Sequence, residues 1–348
     1  MKLAFDCRYL GMSGIGRACK GMLDSLDFGK DEYFLIGKKE ALEDYKDKAK
    51  IIEDDNSPYS FKGLKSVAKK VNGVCDALIV PNFLVPSEVK IPVYVVIHDL
   101  MFLDVKATTK NAIDRFVKKT LLARSVKTAE RIYCVSEFTY KRCLHYYPKF
   151  AEKFAVNHVG FAFDVPKDFE PCEEKDNTLV FVGNVKPQKG LKTLIEAFKL
   201  LPEGEYKLKI IGDKENFRTV MSTEELTADG VLYTGKISDE RLKEEVARAK
   251  FLIQPSFYEG FGLPPLEALC LGTKPIVSDI EVFKEVYAGF DVEYFKVGDP
   301  YSLKKAILSA DPKPKTDPEL IRKRYAFKRM TDVMLKGIKG DKNESKKR

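Results

Sequence analysis

The sequence predicts an α/β protein of two domains, each built round a parallel sheet, and three observations carry that prediction. At 348 residues the chain is too long for one ordinary core and about right for two. Short apolar runs alternate with helix-period segments from end to end, as parallel strands joined by crossover helices require. One stretch, VPKDFEPCEEKDN at 165–177, breaks the alternation: it is polar, contains prolines and has no apolar period, so it reads as a linker.

In the first series, strands are expected over 3–5, 33–36, 77–80, 93–97 and 131–135, with helices over 16–26 and 112–129. After the linker, strands are expected over 178–182, 207–211, 231–233, 251–254 and 275–278. Helices are expected over 190–200, 238–249, 264–271 and 302–309. From 317 to 338 the pattern is that of an amphipathic helix, and the GDKNESKKR that follows is expected to fray. The domains are thus 1–165 and 166–322, with 323–348 a helix and basic tail expected to pack back on the first domain. Two open α/β units in tandem place a ligand cleft between them, at the carboxyl ends of both sets of strands.

Composition excludes several classes. A hydrophobic fraction of 44% beside 32% charged residues is that of a globular chain with a wet surface. No run of 18 apolar residues exists to span a bilayer, and MKLAFDCRYL reads as a strand rather than a secretory leader, so a cytoplasmic protein is expected. The seven cysteines (7, 19, 75, 134, 143, 172 and 270) are scattered, without a C-x-x-C pair, and read as buried hydrophobes. Three separated histidines offer no zinc pattern. Residues 1–165 hold 27 Lys/Arg against 21 Asp/Glu, 166–322 hold 23 against 28, and 323–348 hold 10 against 3. A basic first half and tail round an acidic middle suit an anionic partner. The lysines lack interleaved aromatics or any nucleic-acid motif, which argues against nucleic acid.

The most informative stretch is PSFYEGFGLPPLEALCLG, 255–272. An apolar strand runs into a loop containing Gly260, Phe261, Gly262 and Leu263, and Pro264 and Pro265 open a helix where no amide donor is needed. Glu259 stands before the glycines and Glu267 in the first helical turn. The glycines let backbone amides approach a ligand, and a carboxylate on each side suits vicinal hydroxyls. The structural alternative is a glycine turn with a carboxylate favoured near a helix start. This stretch resembles the E-x7-E motif of family 4 glycosyltransferases, the retaining branch of the GT-B fold, with Glu259 and Glu267 at its two positions. The resemblance implies two Rossmann-like domains facing each other across a cleft. It also implies that Glu259 lies beside the transferred sugar and that Glu267 binds the ribose hydroxyls of the nucleotide. The likeness continues through GTKPIVSDIEVFKEV and covers the chain from residue 1 to about 330.

The second motif, LVFVGNVKPQKGLKTLIEAF at 179–198, is strand, glycine turn and helix. Lys189 stands at the helix start, where a cation beside free amides can grip a diphosphate; a solvated lysine is the plain alternative. It resembles the family's diphosphate-binding turn, with Gly183, Asn184 and Lys189 on the donor. Many members carry arginine where this chain has Asn184 or Gln188, which leaves Lys189 fewer partners.

The third, FDCRYLGMSGIGRACKGMLDSL at 5–26, holds G-x-x-x-G-I-G from Gly11 to Gly16. A lone glycine fingerprint also resembles the cofactor loop of short-chain dehydrogenases, which need a tyrosine and a lysine four apart near mid-chain; Tyr301 and Lys305 have that spacing but come too late. It resembles the N-terminal glycosyltransferase loop at least as well, which implies Gly16 on the donor side and Gly14 and Arg8 on the acceptor side. The fourth, VYVVIHDLMFLD at 93–104, ends an apolar strand at His98-Asp99, a usual place for a functional residue although a lone histidine is more often structural. By resemblance His98 contacts the reacting sugar, while Asp99 orients His98 or the local turn. Ser136, in a stretch similar to the family's VSEFS, is expected to cap a helix.

No D-x-D follows an apolar strand, so no metal and no cofactor are expected. The reading is a metal-independent transferase moving a hexose or deoxyhexose, with retention, from a nucleotide-diphosphate sugar to a glycan or lipid-linked glycan in polysaccharide assembly. For retention, the resemblance implies a route through an oxocarbenium-like ion with the diphosphate as base. Within 60–71, SFKGLKSVAKKV puts Phe61, Leu64, Ala68 and Val71 on one helical face and Lys62, Lys65, Lys69 and Lys70 off it. That pattern fits either a core-facing helix or peripheral contact with an anionic membrane. Two rivals stay open: a non-catalytic nucleotide-sugar-binding partner, and a nicotinamide oxidoreductase that leaves Glu259 and Glu267 unexplained.

Overall fold

A computed structural model describes residues 1–105, 108–109, 111–161, 165, 169, 172–212 and 228–345. The chain divides into two compact units: Met1–Asp104, Thr109–Ala162 and Tyr325–Arg348 form the first, and Val105–Thr108 with Phe163–Arg324 the second.

The first unit holds seven parallel strands: β1 (Lys2–Asp6), β2 (Glu32–Gly37), β3 (Lys50–Glu53), β4 (Ala77–Val80), β5 (Val93–Ile97), β6 (Arg131–Cys134) and β7 (Phe154–Val156). Their order is β3-β2-β1-β4-β5-β6-β7. The central strands ALIV and VYVVI are buried at every position, because crossover helices cover both faces of a parallel sheet. Their unbroken apolar runs made them legible. The edges were not: β3 is KIIE with no buried position, and β7 is three residues long. The helices are α1 (Ser13–Asp24), α2 (Phe61–Ser66), α3 (Ala68–Val71), α4 (Met101–Asp104), α5 (Ala112–Thr128) and α6 (Glu137–Tyr146). Ser136 accepts from the Thr139 amide at 3.1 Å and caps α6.

The second unit holds six parallel strands: β8 (Asp176–Val182), β9 (Lys207–Ile211), β10 (Val231–Gly235), β11 (Ala249–Gln254), β12 (Lys274–Ser278) and β13 (Glu293–Phe295). They are ordered β10-β9-β8-β11-β12-β13. Between them run α7 (Leu191–Lys199), α8 (Asp239–Arg248), α9 (Pro264–Cys270), α10 (Glu281–Val286), α11 (Pro300–Ser309) and α12 (Pro318–Arg324). Period-2 alternation splits the core: Leu179, Phe181, Phe251 and Ile253 face one layer with Leu194 and Ile307, while Val180 and Leu252 face the other with Val246 and Ala268.

The amphipathic pattern over 317–338 is two helices, not one. The break falls where the Phe161 amide bonds the Tyr325 carbonyl and Phe161 bridges Ala326, as the chain passes from the second unit to the first. The final helix, α13 (Phe327–Ser345), packs on α1; Ser25 bonds Thr331 at 3.1 Å and Asn157 bonds the Met330 carbonyl at 2.9 Å. It continues helical through Ser345, past the point where fraying was expected. Five of the thirteen positions of the expected linker lie outside the described residues, and its last two, Asp176 and Asn177, already belong to β8. All seven cysteines are free, six of them buried. No helix among the described residues is long and apolar enough to cross a membrane.

In each sheet the strand order reverses beside the first strand, between β1 and β4 and between β8 and β11. Loops leaving the carboxyl ends at such a point diverge and open a crevice for ligands. The segments after β8 and β11 are the second and first motifs.

Candidate functional site

The turn after β8 and the loop after β11 are locked together by backbone. The Phe257 amide donates to the Gln188 carbonyl at 2.8 Å, and Gly190 adopts φ 68°, where a Cβ would lie 1.8 Å from the Pro255 carbonyl oxygen. Only glycine permits that conformation and that approach together. A short 3-10 turn, Pro187–Lys189, then aims Lys189 across the gap, and its Nζ meets Glu259 Oε1 at 2.6 Å. The same oxygen accepts from Ser256 Oγ at 2.7 Å and Gln254 Nε2 at 3.2 Å. Beyond it Gly262 adopts φ 96°, with its carbonyl accepting from Tyr287 Oη at 2.7 Å; a Cβ there would meet that hydroxyl at 2.5 Å. Pro264 then starts α9, which carries Glu267, half-buried, in its first turn. The Lys189 and Glu259 side chains keep 20% and 12% of their exposure, so the pair is sheltered yet reachable.

Of the residues expected on the donor, the structure brings Lys189 and Glu259 into contact. Gly183 and Asn184 lie half-buried on the turn leaving β8, and Gly260, Gly262 and Leu263 half-buried on the loop after β11. Phe261 is 5% exposed, so its ring is packing and only its backbone remains for a ligand. Gln188 is buried too, its side-chain oxygen without a hydrogen-bond partner. Gln254 and Ser256 were missed. The signal available was a polar pair closing a strand, FLIQPS, that is otherwise apolar.

In the first unit Arg8, expected on the acceptor side, is held by the fold. Its guanidinium donates to Asp6 through Nε at 2.8 Å and Nη2 at 2.7 Å, and to the Gly63 carbonyl through Nη1 at 2.7 Å, with Asp54 3.8 Å away. Burial opposes its charge, but the hydrogen bonds and charge of Asp6 outweigh it and hold the guanidinium above its usual range. Every direction is occupied, so Arg8 ties β1 to α2. Gly14 is open on the first turn of α1, where a Cβ would meet nothing within 4 Å, whereas at Gly16 a Cβ would lie 2.7 Å from the Tyr9 carbonyl oxygen.

His98 follows β5. One ring nitrogen, Nε2, lies 2.9 Å from the Pro81 carbonyl, which can only accept, so Nε2 carries the proton. Burial pushes the ring's pKa below the usual histidine value, opposed by the Pro81 carbonyl and the Asp99 charge. A neutral ring with Nδ1 left as acceptor follows. Asp99 accepts from the Met101 amide at 3.0 Å and closes the turn into α4.

Two surfaces of this unit carry exposed apolar groups. Residues 61–71 fold as two short helices; Val67, Ala68 and Val71 are buried, but Phe61 is 75% exposed with Lys65 over its ring. Lys70 is tied to Asp54 at 3.1 Å. On α5, Ile113, Phe116 and Val117 are 74%, 69% and 48% exposed, beside exposed Lys119. A cavity of about 1010 Å³ lies at the amino ends of β1 and β2, lined by Lys2, Glu32, Tyr33 and Lys50. It is the end of the sheet away from the motif loops, and Glu32–Lys50 and Met1–Asp31 pairs neutralise its rim.

Residues 165–325 match the family described as "Glycosyl transferases group 1". O-antigen chain mannosyltransferase B of Escherichia coli is 27% identical over 221 residues, 59% of this chain and 58% of that protein. O-antigen chain mannosyltransferase RfbU of Salmonella typhimurium is 31% identical over 212 residues, 58% of each. The match thus spans less than two thirds of either relative. Among solved structures, Anabaena HepE in complex with UDP and glucose superposes with a TM-score of 0.69 at 15% identity, over 98% of this chain and 100% of that one. The architecture is the α/β two-domain GT-B fold.

Proposed function

We propose that the chain is a group 1 glycosyl transferase, on the match over residues 165–325, and that it moves a hexose or deoxyhexose from a nucleotide-diphosphate sugar to a glycan or lipid-linked glycan in polysaccharide assembly. The carrying observation is the Lys189–Glu259 contact at the point where the second sheet reverses its order. A cation and a carboxylate held 2.6 Å apart at a crevice can divide one ligand between them. The ammonium takes the diphosphate, whose charge grows as the sugar leaves, and the carboxylate takes the sugar. Glu267 accepts from the ribose hydroxyls, and amides of Gly183, Asn184 and the 260–263 loop line the remainder. His98, neutral with Nδ1 open, accepts from a hydroxyl of the transferred sugar. Gly16 is assigned to the donor and Gly14 to the acceptor. No metal is required in this scheme, because the diphosphate is met by Lys189 and amides, and the anomeric configuration is retained.

A bound nucleotide stabilises the fold by mass action. Thermal unfolding of the chain with UDP, GDP, dTDP and ADP in turn should show a rise for one base, lost in Glu267→Ala. No rise with any of the four sinks the reading. The rival of a binding partner without transfer draws on Asn184 and Gln188, which leave the turn short of the family's arginine. Release of nucleotide from the sugar donor, unchanged by chelator, excludes it.

We also place the first unit at an anionic lipid surface. Phe61 with Lys62, Lys65 and Lys69, and the exposed Ile113, Phe116 and Val117 with Lys119, pair apolar groups with cations as interfacial segments do. Sedimentation with anionic vesicles should carry the protein down at low salt and release it at high salt; protein left in solution at low salt ends that part.

A further inference from the structure

We infer that Gln254 and Ser256 are positioning residues that fix the Glu259 carboxylate so that one of its oxygens is held by the protein and the other is kept for the ligand. The inference rests on the reading of Glu259 as the sugar-side carboxylate.

Oε1 of Glu259 receives three donors: Lys189 Nζ at 2.6 Å, Ser256 Oγ at 2.7 Å and Gln254 Nε2 at 3.2 Å. A carboxylate oxygen has two lone pairs, so three donors saturate it, and further hydrogen bonds must go to Oε2. The three donors are unequal. Lys189 sits at the mouth of the pair, with 20% of its side chain exposed, and it is the group a diphosphate recruits. Gln254 and Ser256 are fully buried and neutral, and cannot leave. When the diphosphate draws Lys189 away, two bonds from behind remain to stop the carboxylate rotating.

The arrangement is not a by-product of the fold. The rest of the FLIQ end of β11 is apolar, and nothing in a parallel sheet calls for an amide there. The Gln254 side chain makes a second bond, Nε2 to Ser256 Oγ at 3.0 Å, while its own oxygen stays buried without a hydrogen-bond partner. Turning the amide over would set that oxygen against Glu259 Oε1 and remove the donor the carboxylate now has there. A buried acceptor is thus left unmet so that the NH2 can face the carboxylate. Ser256 is fastened in turn, its carbonyl accepting from Ser278 Oγ.

The test measures steady-state nucleotide release from a sugar donor by the full chain, with Ser256→Ala, Gln254→Met and the double variant. Misplacing a reacting group by about 1 Å costs roughly 10²-fold in rate. The double variant should therefore lose about that much kcat while its donor KM and the thermal shift with nucleotide stay near wild type, whereas Lys189→Ala should lose kcat and the nucleotide's thermal shift together. Ser256→Thr, which keeps the hydroxyl, should recover most of the rate lost in Ser256→Ala. If the double variant does not fold, that Thr and Ala pair decides, and equal losses overturn the inference. An active wild type with a double variant of unchanged kcat overturns the positioning role alone. A wild type that neither releases nucleotide nor gains stability from any of them overturns the functional reading, and this inference with it.

Discussion

Each unit keeps an ion pair at the carboxyl end of its sheet beside the order reversal, and the two pairs differ in what surrounds them. After β1, Arg8 and Asp6 retain 2% and 0% of their side-chain exposure, and Arg8 gives its remaining donors to Gly63 and Ser66. Near the ends of β8 and β11, Lys189 and Glu259 retain 20% and 12%, and the three donors to Glu259 all converge on Oε1 rather than Oε2. The same topological place thus holds a sealed pair in one unit and an open pair in the other. A closed pair serves the fold, because partners offset the burial of each charge; an open pair can exchange one partner for a ligand.

That contrast breaks most visibly on the sealed side. Arg8→Met removes one charge and leaves Asp6 buried, which should cost about 3–5 kcal/mol of unfolding free energy. Urea unfolding measures it, and a loss below about 1 kcal/mol would mean the first pair is not the fastener described. The open pair should answer oppositely. Glu259→Gln is expected to slow transfer by about 10²–10³-fold, the scale for removing a group aimed at developing charge, while the unfolding midpoint moves little. Equal losses of stability in the two variants would erase the distinction between the pairs.

The same contrast explains what is legible in the sequence alone. Every expected central strand was legible because a parallel sheet covered on both faces needs an unbroken apolar run, and LVFV, FLIQ, ALIV and VYVVI are such runs. Edge strands such as KIIE carry no such demand. Glu259 and Lys189 stood out because each lies in a strand–glycine-turn–helix stretch that resembles a family motif, and the structure brings their side chains to 2.6 Å. The packing of Arg8 was not legible, because a charged residue just past a strand looks alike whether it turns outward or folds back on Asp6. That choice depends on Gly63, Ser66 and Asp54, about 50 positions away, whose approach no local pattern announces. Gln254 and Ser256 escaped for the opposite reason: each is unremarkable alone, and their role exists only once Glu259 is placed beside them.

His98 supplies the smallest and most selective test, because it belongs to the sealed unit yet is assigned to a ligand. Burial lowers its pKa in the folded state, so the unfolded chain takes up the proton first as pH falls. Stability is therefore full above the ordinary histidine value of about 6.5 and declines below it, with a slope bounded by about 1.4 kcal/mol per pH unit for a single proton. In His98→Gln the amide can still donate to Pro81 but does not titrate, so the unfolding midpoint should fall less between about pH 7 and pH 5 than in the wild type. Identical pH profiles would mean that the ring is not held neutral by its surroundings. Transfer adds the discriminating readout. If Nδ1 accepts from the sugar, wild-type rate should hold through about pH 6.5 and fall only at lower pH, and the variant should be slower at every pH. A variant matching the wild-type rate would leave His98 a purely structural role.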